Sequence, residues 1–175
     1  MNIFILDECP VISAQSLCDL HVNKMLIEST QLLCIYLNKK GYTTPYKSNH
    51  HVNHPCVLWL EDFLFTDHLK WLQNHAYALA NEYKYRTGKN HKCSFVLIKI
   101  SSSIFDVIQK NIHVKCMQTK ELFPRPKFIQ VMPDEYKLEN TIEAYRNYYI
   151  SKQYTMKRPM KWTKRKLPVW FKFGG

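Results

Sequence analysis

The sequence predicts a mainly α protein: a compact single-domain helical bundle over residues 1–175, with long loops and a basic, aromatic carboxy-terminal tail. Three observations carry that expectation. Apolar residues recur at helical spacing in four stretches, proline and glycine cluster between them, and 175 residues suffice to bury a core without staples. Lysine and arginine number 25 against 14 acidic residues, a net charge of +11 with a pI near 9.4, which is a common footprint of proteins that meet a polyanion.

In chain order, Ile3–Leu6 reads as a brief strand or an extended arm, and Pro10 separates it from the first helix. That helix is placed at residues 14–37 with Ser13 as its N-cap. His21, Lys24, Glu28 and Gln31 share one stripe of it, within about 80° on a helical wheel. Leu17, Met25, Leu32 and Ile35 lie on or beside that stripe, while Leu20, Val22, Leu26, Leu33 and Leu37 make the rest apolar, so the helix should be central. A carboxylate and an ammonium in such surroundings are either an ordinary ion pair at i,i+4 or groups employed in chemistry.

Residues 38–55 form a donor-rich loop carrying His50, His51 and His54; their spacing matches no zinc site, and contact with a phosphate or a base is the favoured use over a plain surface loop. Residues 57–86 are helical again, interrupted near Thr66-Asp67. Trp59, Phe63, Leu69, Leu72, Ala76, Leu79 and Tyr83 form its apolar stripe; His68, Trp71, His75, Glu82 and Arg86 form a mixed side expected to be solvated; Gly88 closes the helix. Ser94 is expected to cap a helix over 95–110, with Val96, Ile100, Ile104, Val107 and Ile108 inward. Residues 114–133, with Pro124, Pro126 and Pro133, read as a loop exposing Arg125 and Lys127. Asn140 and Glu143 form a capping box before a tyrosine-dense helix at 141–152. In the tail, cations such as Lys164, Arg165 and Lys166 alternate with Trp162, Trp170, Phe171 and Phe173, which suits phosphate contact combined with rings that stack on bases or dock on the core.

Several classes are excluded. Six cysteines without a CxxC pair, two of them in the first helix, argue against a disulfide framework or zinc ribbon and for a reducing compartment. The amino terminus lacks a signal-peptide pattern, no run is long enough to span a bilayer, and neither a P-loop nor a dinucleotide fingerprint is present. The expectation is a protein inside the cell with no membrane partner.

Three blocks, CDLHVNKMLIES at 18–29, FLFTDHLKWLQNHAYALANEYKYRTG at 63–88 and LPVWFKF at 167–173, stand in an order that resembles the phage pyrimidine-dimer DNA glycosylase family of the endonuclease V type. Shared features are an Asp-x-His pair with a glutamate seven residues after the histidine, a helix ending in a basic residue before glycine, and Pro-x-Trp-aromatic-Lys. The resemblance implies a helical monomer, without metal or cofactor, that binds duplex DNA on a basic face and flips out a damaged or modified base in the host cytoplasm or nucleoid. It also implies an amino-terminal amine that attacks the sugar C1′ and a glutamate, Glu28 by the match, that assists. His21 and Lys24 are then its partners; His51, Asn53, His54 and Arg86 belong to the nearby substrate face; Lys164, Arg165 and Lys166 contact phosphates. Three nucleophiles stay open: the Met1 amine, a desolvated Lys24, or a water activated by Glu28. The rival functions are a nucleic-acid-binding module that has lost the chemistry and a base- or nucleotide-modifying enzyme acting on another C–N bond.

Overall fold

The computed structural model describes residues 1–47, 50–62, 66–118 and 127–174, with the backbone alone at 66 and 111–118. Among them are six α-helices and one 3₁₀ turn: α1 Pro10–Ser16, α2 Asp19–Lys39, α3 Pro55–Glu61, α4 Thr66–Thr87, α5 Lys92–Gln118, the turn Asp134–Tyr136, and α6 Thr141–Thr155. The fold is mainly α, as expected. Phe63, expected in the apolar stripe, and Pro124, Arg125 and Pro126, expected in a loop, lie outside the described residues, as does the side chain of Cys116. The other five cysteines are free thiols, and no described helix is long and apolar enough to cross a membrane.

The amino-terminal arm forms no strand. Ile3, Phe4, Ile5 and Leu6 are all buried in the core, which an extended backbone tolerates only if its polar groups find partners. Side chains supply them: Ser13 Oγ accepts from Leu6 N–H at 3.1 Å and donates to the Phe4 carbonyl at 3.2 Å, and Arg146 Nε donates to the Leu6 carbonyl at 2.9 Å. Ser13 is therefore not an N-cap; it ties the arm down.

The first helix is two helices. Pro10 starts α1 at its first turn, where its missing N–H removes nothing, and the chain breaks at Leu17 and Cys18 before α2 begins. Several backbone groups at the break have distant partners. Arg86 donates to the Gln15 and Leu17 carbonyls at 3.0 and 2.8 Å, and Trp162 Nε1 to the Ser16 carbonyl at 2.9 Å. On the α2 side, Cys18 N–H donates to the Tyr149 hydroxyl at 2.9 Å and Asp19 N–H to the Lys161 carbonyl at 2.8 Å.

Helix α4 packs on α1, α2, α3 and α5, and for that reason the side expected to be solvated is buried: His68, Trp71, His75, Glu82 and Arg86 are each at most 6% exposed. Leu20, by contrast, expected on the apolar side of α2, is 39% exposed. The α3–α4 interruption falls where the sequence places it, and Gly88 takes φ +74° past the end of α4, its N–H on the Lys84 carbonyl at 2.8 Å. Helix α5 starts earlier than expected and runs further, because the His91 ring, not Ser94, caps it by accepting from Cys93 N–H at 3.0 Å. Asn140 caps α6 as expected, accepting from Ile142 and Glu143 N–H at 3.0 and 3.2 Å. In the tail, Phe171 is buried and Trp162 and Trp170 are half-buried against the core, so those rings dock inward.

Candidate active site

Helix α2 presents Lys24 and Glu28 one turn apart beside the amino-terminal arm. Glu28 Oε2 accepts from Asn2 N–H at 2.7 Å, and Lys24 Nζ stands 3.8 Å from Oε1. The Glu28 side chain is 15% exposed and that of Lys24 is 62% exposed. The carboxylate is thus neither sealed nor facing open water. The α-amino nitrogen of Met1 is three covalent bonds from Asn2 N, about 3–3.6 Å, which puts it within one side-chain length of the carboxylate. Asn2 is itself fixed, its Nδ2 donating to the Val131 carbonyl at 3.0 Å and its Oδ1 accepting from Ile3 N–H at 2.7 Å.

The arm meets α3 here as well. His54 caps α3, its Nδ1 accepting from Cys56 N–H at 3.2 Å, and its ring lies within the electrostatic reach of the Met1 amino group, His51 and Glu28. Burial, followed by that amino group, lowers the pKa of His54, so the imidazole is neutral near pH 7. Burial pushes the neighbouring Cys56 thiol up to about 12, which leaves it protonated and rules it out as a nucleophile. His51, at φ +66°, and Asn53 are exposed on the turn before His54. Among the described residues no three His, Cys, Asp or Glu side chains gather as metal ligands.

His21 lies two turns from Glu28, about 10 Å along the helix axis, and turns to other partners. Its Nδ1 meets the Tyr149 hydroxyl at 2.8 Å, and its ring packs on Phe4 with centroids 5.1 Å apart. The Tyr149 hydroxyl also accepts from Cys18 N–H at 2.9 Å, and the Cys18 sulfur stands 3.5 Å from His21 Nδ1, so one hydroxyl ties the start of α2 to the His21 ring. Burial, with lesser contributions from Lys24 and Lys152, holds the His21 pKa down to about 4.

Arg86 is not on the substrate face. Its side chain is 2% exposed and makes four bonds: Nε to Glu82 Oε1 at 2.7 Å, Nη1 to the Leu17 carbonyl and Asp19 Oδ1, both at 2.8 Å, and Nη2 to the Gln15 carbonyl at 3.0 Å. Arg165 is drawn into the same network, with Nε and Nη2 on the two Glu82 oxygens at 2.9 and 2.8 Å. Lys164, at φ +61°, donates to the Tyr85 carbonyl at 2.9 Å. Of the three tail cations, Arg165 and Lys164 hold the tail to α4, while Lys166 is exposed beside a cavity of about 400 Å³ with Gln15, Ser16 and the other two in its wall. A second cavity, of about 270 Å³, opens between Asp19, Leu20, Arg158 and Lys161, and Glu28 lines neither.

The structure therefore brings Met1, Lys24, Glu28 and His54 together, with His51 and Asn53 adjacent, and sets His21, Arg86 and the tail cations apart. Sequence reasoning missed Asn2 and Tyr149. Asn2 carried no signal; Tyr149 sits in a run of tyrosines in which only packing distinguishes it.

Fold and site together define a basic, mainly α protein whose extended arm lays a backbone amide N–H against a helix carboxylate. The family described as pyrimidine dimer DNA glycosylase matches residues 1–95, more than half of the chain, and the chain belongs to that family. The matched segment contains Met1, Asn2, Lys24, Glu28 and His54, and excludes Tyr149 and the tail. Neither the curated proteins nor the solved structures compared with the chain give a match.

Proposed function

We propose that the protein is a DNA glycosylase with AP-lyase activity that removes a damaged or modified base, the α-amine of Met1 being the nucleophile and Glu28 its electrostatic partner and proton acceptor. The observation that carries this reading is the 2.7 Å bond from Asn2 N–H to Glu28, which holds the arm's first peptide unit at the carboxylate. The neutral amine attacks C1′ of a flipped nucleotide through its lone pair, and the C1′–N bond breaks with its electrons leaving on the base, which takes up a proton. The amine nitrogen then gives up a proton as the sugar ring opens at C1′–O4′, O4′ is protonated, and C1′ becomes an iminium. A carboxylate beside that cation stabilises it, and it is the base at hand for the C2′ proton whose removal expels the 3′ phosphate.

Lys24 is set aside as nucleophile because its side chain is 62% exposed and not enclosed by the site; its place beside Glu28 suits a phosphate contact. Exposed Lys161 and Lys166 suit the same use better than Arg86 and Arg165, whose donors are engaged within the protein.

The test is borohydride trapping on duplex DNA bearing a pyrimidine dimer or an abasic site, with peptide mapping of the adduct and intact-mass analysis of the Met1 peptide. A covalent adduct on the Met1 nitrogen is expected, and Glu28→Gln should slow its formation by about 10²–10⁴. Failure to trap, together with no base release from either substrate, overturns the reading.

A further inference from the structure

Asn2 is fastened at three points. Its N–H donates to Glu28 Oε2 on α2 at 2.7 Å, its Nδ2 donates to the Val131 carbonyl at 3.0 Å, and its Oδ1 accepts from Ile3 N–H at 2.7 Å. The second point rests on residues 129–131, which belong to no helix and so need partners of their own. Tyr145 of α6 supplies them through one hydroxyl, which accepts from Val131 N–H at 3.1 Å and donates to the Ile129 carbonyl at 2.9 Å. Its side chain is fully buried and meets Phe4 of the arm edge-on, with ring centroids 6.4 Å apart. Gln130 ties the same segment to the start of α6, its Oε1 accepting from Leu138 N–H at 3.2 Å and its Nε2 donating to Thr141 Oγ1 at 3.3 Å. Val131 and Tyr145 both lie outside the matched residues 1–95.

We propose that Asn2 and Tyr145 are positioning residues for the amino-terminal nucleophile: the Tyr145 hydroxyl fixes residues 129–131, the Val131 carbonyl fixes the Asn2 side chain, and Asn2 keeps the arm's first peptide unit on Glu28. A single N–H to carboxylate bond tolerates a broad range of angles, so by itself it leaves a chain end free to pivot. The bond from Nδ2 adds a second point on a different part of the chain, and two points stop the pivot. Asparagine suits the position because its amide carries donor and acceptor together, and both are used, on the Val131 carbonyl and Ile3 N–H. The Met1 amine, three covalent bonds from Asn2 N, then starts its attack with much of its orientational freedom already lost, the condition under which positioning contributes most to rate. The inference rests on the Met1 amine being the nucleophile, but the hold on the arm can be observed without any catalysis.

Asn2→Leu removes the donor and the acceptor at nearly constant size, and Tyr145→Phe removes one oxygen while leaving the ring on Phe4; both keep the backbone N–H of residue 2. Hydrogen exchange of that amide, followed by NMR in the intact protein with Met1 confirmed by intact mass, should accelerate by about tenfold or more in each variant, while amides in the middle of α4 stay within about twofold. Single-turnover borohydride trapping on abasic DNA should slow by about tenfold in each, with the Kd for the same DNA unchanged within about twofold. Because the two residues act through the one bond to Val131, the double variant should trap within about twofold of the slower single variant. Exchange of the residue 2 amide within about twofold of wild type in Asn2→Leu overturns the proposal, and so do single-variant effects on trapping that multiply in the double. Asn2→Leu, whose change is confined to the end of the arm, decides alone if Tyr145→Phe does not fold. Wild-type protein that traps nothing overturns the amine-nucleophile reading instead, and the residue 2 amide still decides whether Asn2 and Tyr145 hold the arm.

Discussion

Arg86→Ala tests the central structural claim, that one buried guanidinium holds the α1–α2 break together. The substitution removes four hydrogen bonds of 2.7–3.0 Å and leaves the carbonyls of Gln15 and Leu17 without their partner at a buried helix end. Removing one member of a buried ion pair costs about 3–5 kcal/mol, and an unpaired buried polar group about 1–3 kcal/mol. Glu82 keeps its two bonds from Arg165, so its charge is not left alone, which places the loss near about 4 kcal/mol. For a chain of this length each kcal/mol moves the melting temperature by about 2–4 °C, giving an expected fall of about 8–16 °C. Thermal unfolding followed by circular dichroism at neutral pH measures it, with Arg158→Ala, on the exposed surface, as the control expected to change stability by less than about 0.5 kcal/mol. Arg86→Lys should recover less than half of the loss, since an ammonium cannot span two carboxylates and two carbonyls in different directions. A fall below about 3 °C for Arg86→Ala, or one equal to the control, refutes the argument.

The buried polar groups give two more expected outcomes. Burial holds His21 at about 4 and His75 at about 3, whereas an unfolded histidine titrates near 6.5, so the unfolded chain binds more protons between those values. Their contribution is complete above pH 6.5 and is lost as the pH falls through about 4, by about 3 kcal/mol for His21 alone. Urea midpoints at pH 7 and 4.5 read this loss, and His75→Leu, which removes a ring with neither nitrogen bonded among the described residues, should make it shallower; parallel curves count against the assignment. Tyr149→Phe strands Cys18 N–H and leaves His21 Nδ1 only the Cys18 sulfur at 3.5 Å, and should destabilise by about 1–3 kcal/mol in denaturant unfolding, with less than about 0.5 kcal/mol refuting the shared hydroxyl.

Much of this molecule can be read from local pattern. Helix class, the Thr66 restart, the Gly88 stop and the Asn140 cap depend on residues within a few positions of one another, and each is legible because spacing and capping are short-range physics. Glu28 and Lys24 are legible for a related reason: a charged stripe on an apolar helix is conspicuous at helical spacing. His54 stands out in the sequence as part of a donor-rich loop, while its place near the Met1 amino group and Glu28 requires the loop to be placed in space.

The α1–α2 break shows where local pattern stops being informative. Residues 14–37 carry the periodicity of one helix, and nothing between Leu17 and Cys18 says otherwise, because the partners that make interruption tolerable stand 69, 71, 131 and 146 positions away in sequence. The same holds for the polar side of α4: a run of His, Trp, Glu and Arg at helical spacing is as compatible with water as with burial until Asp19, Arg165 and two carbonyls arrive to satisfy it. Composition and periodicity are properties of neighbours along the chain and are sufficient for helix class and for those ends that a local stop or cap sets, as at Gly88 and Asn140. Whether a buried charge is answered, and whether an amino terminus lies on a carboxylate, depends on desolvated groups meeting across the fold, and that is decided only when the helices pack.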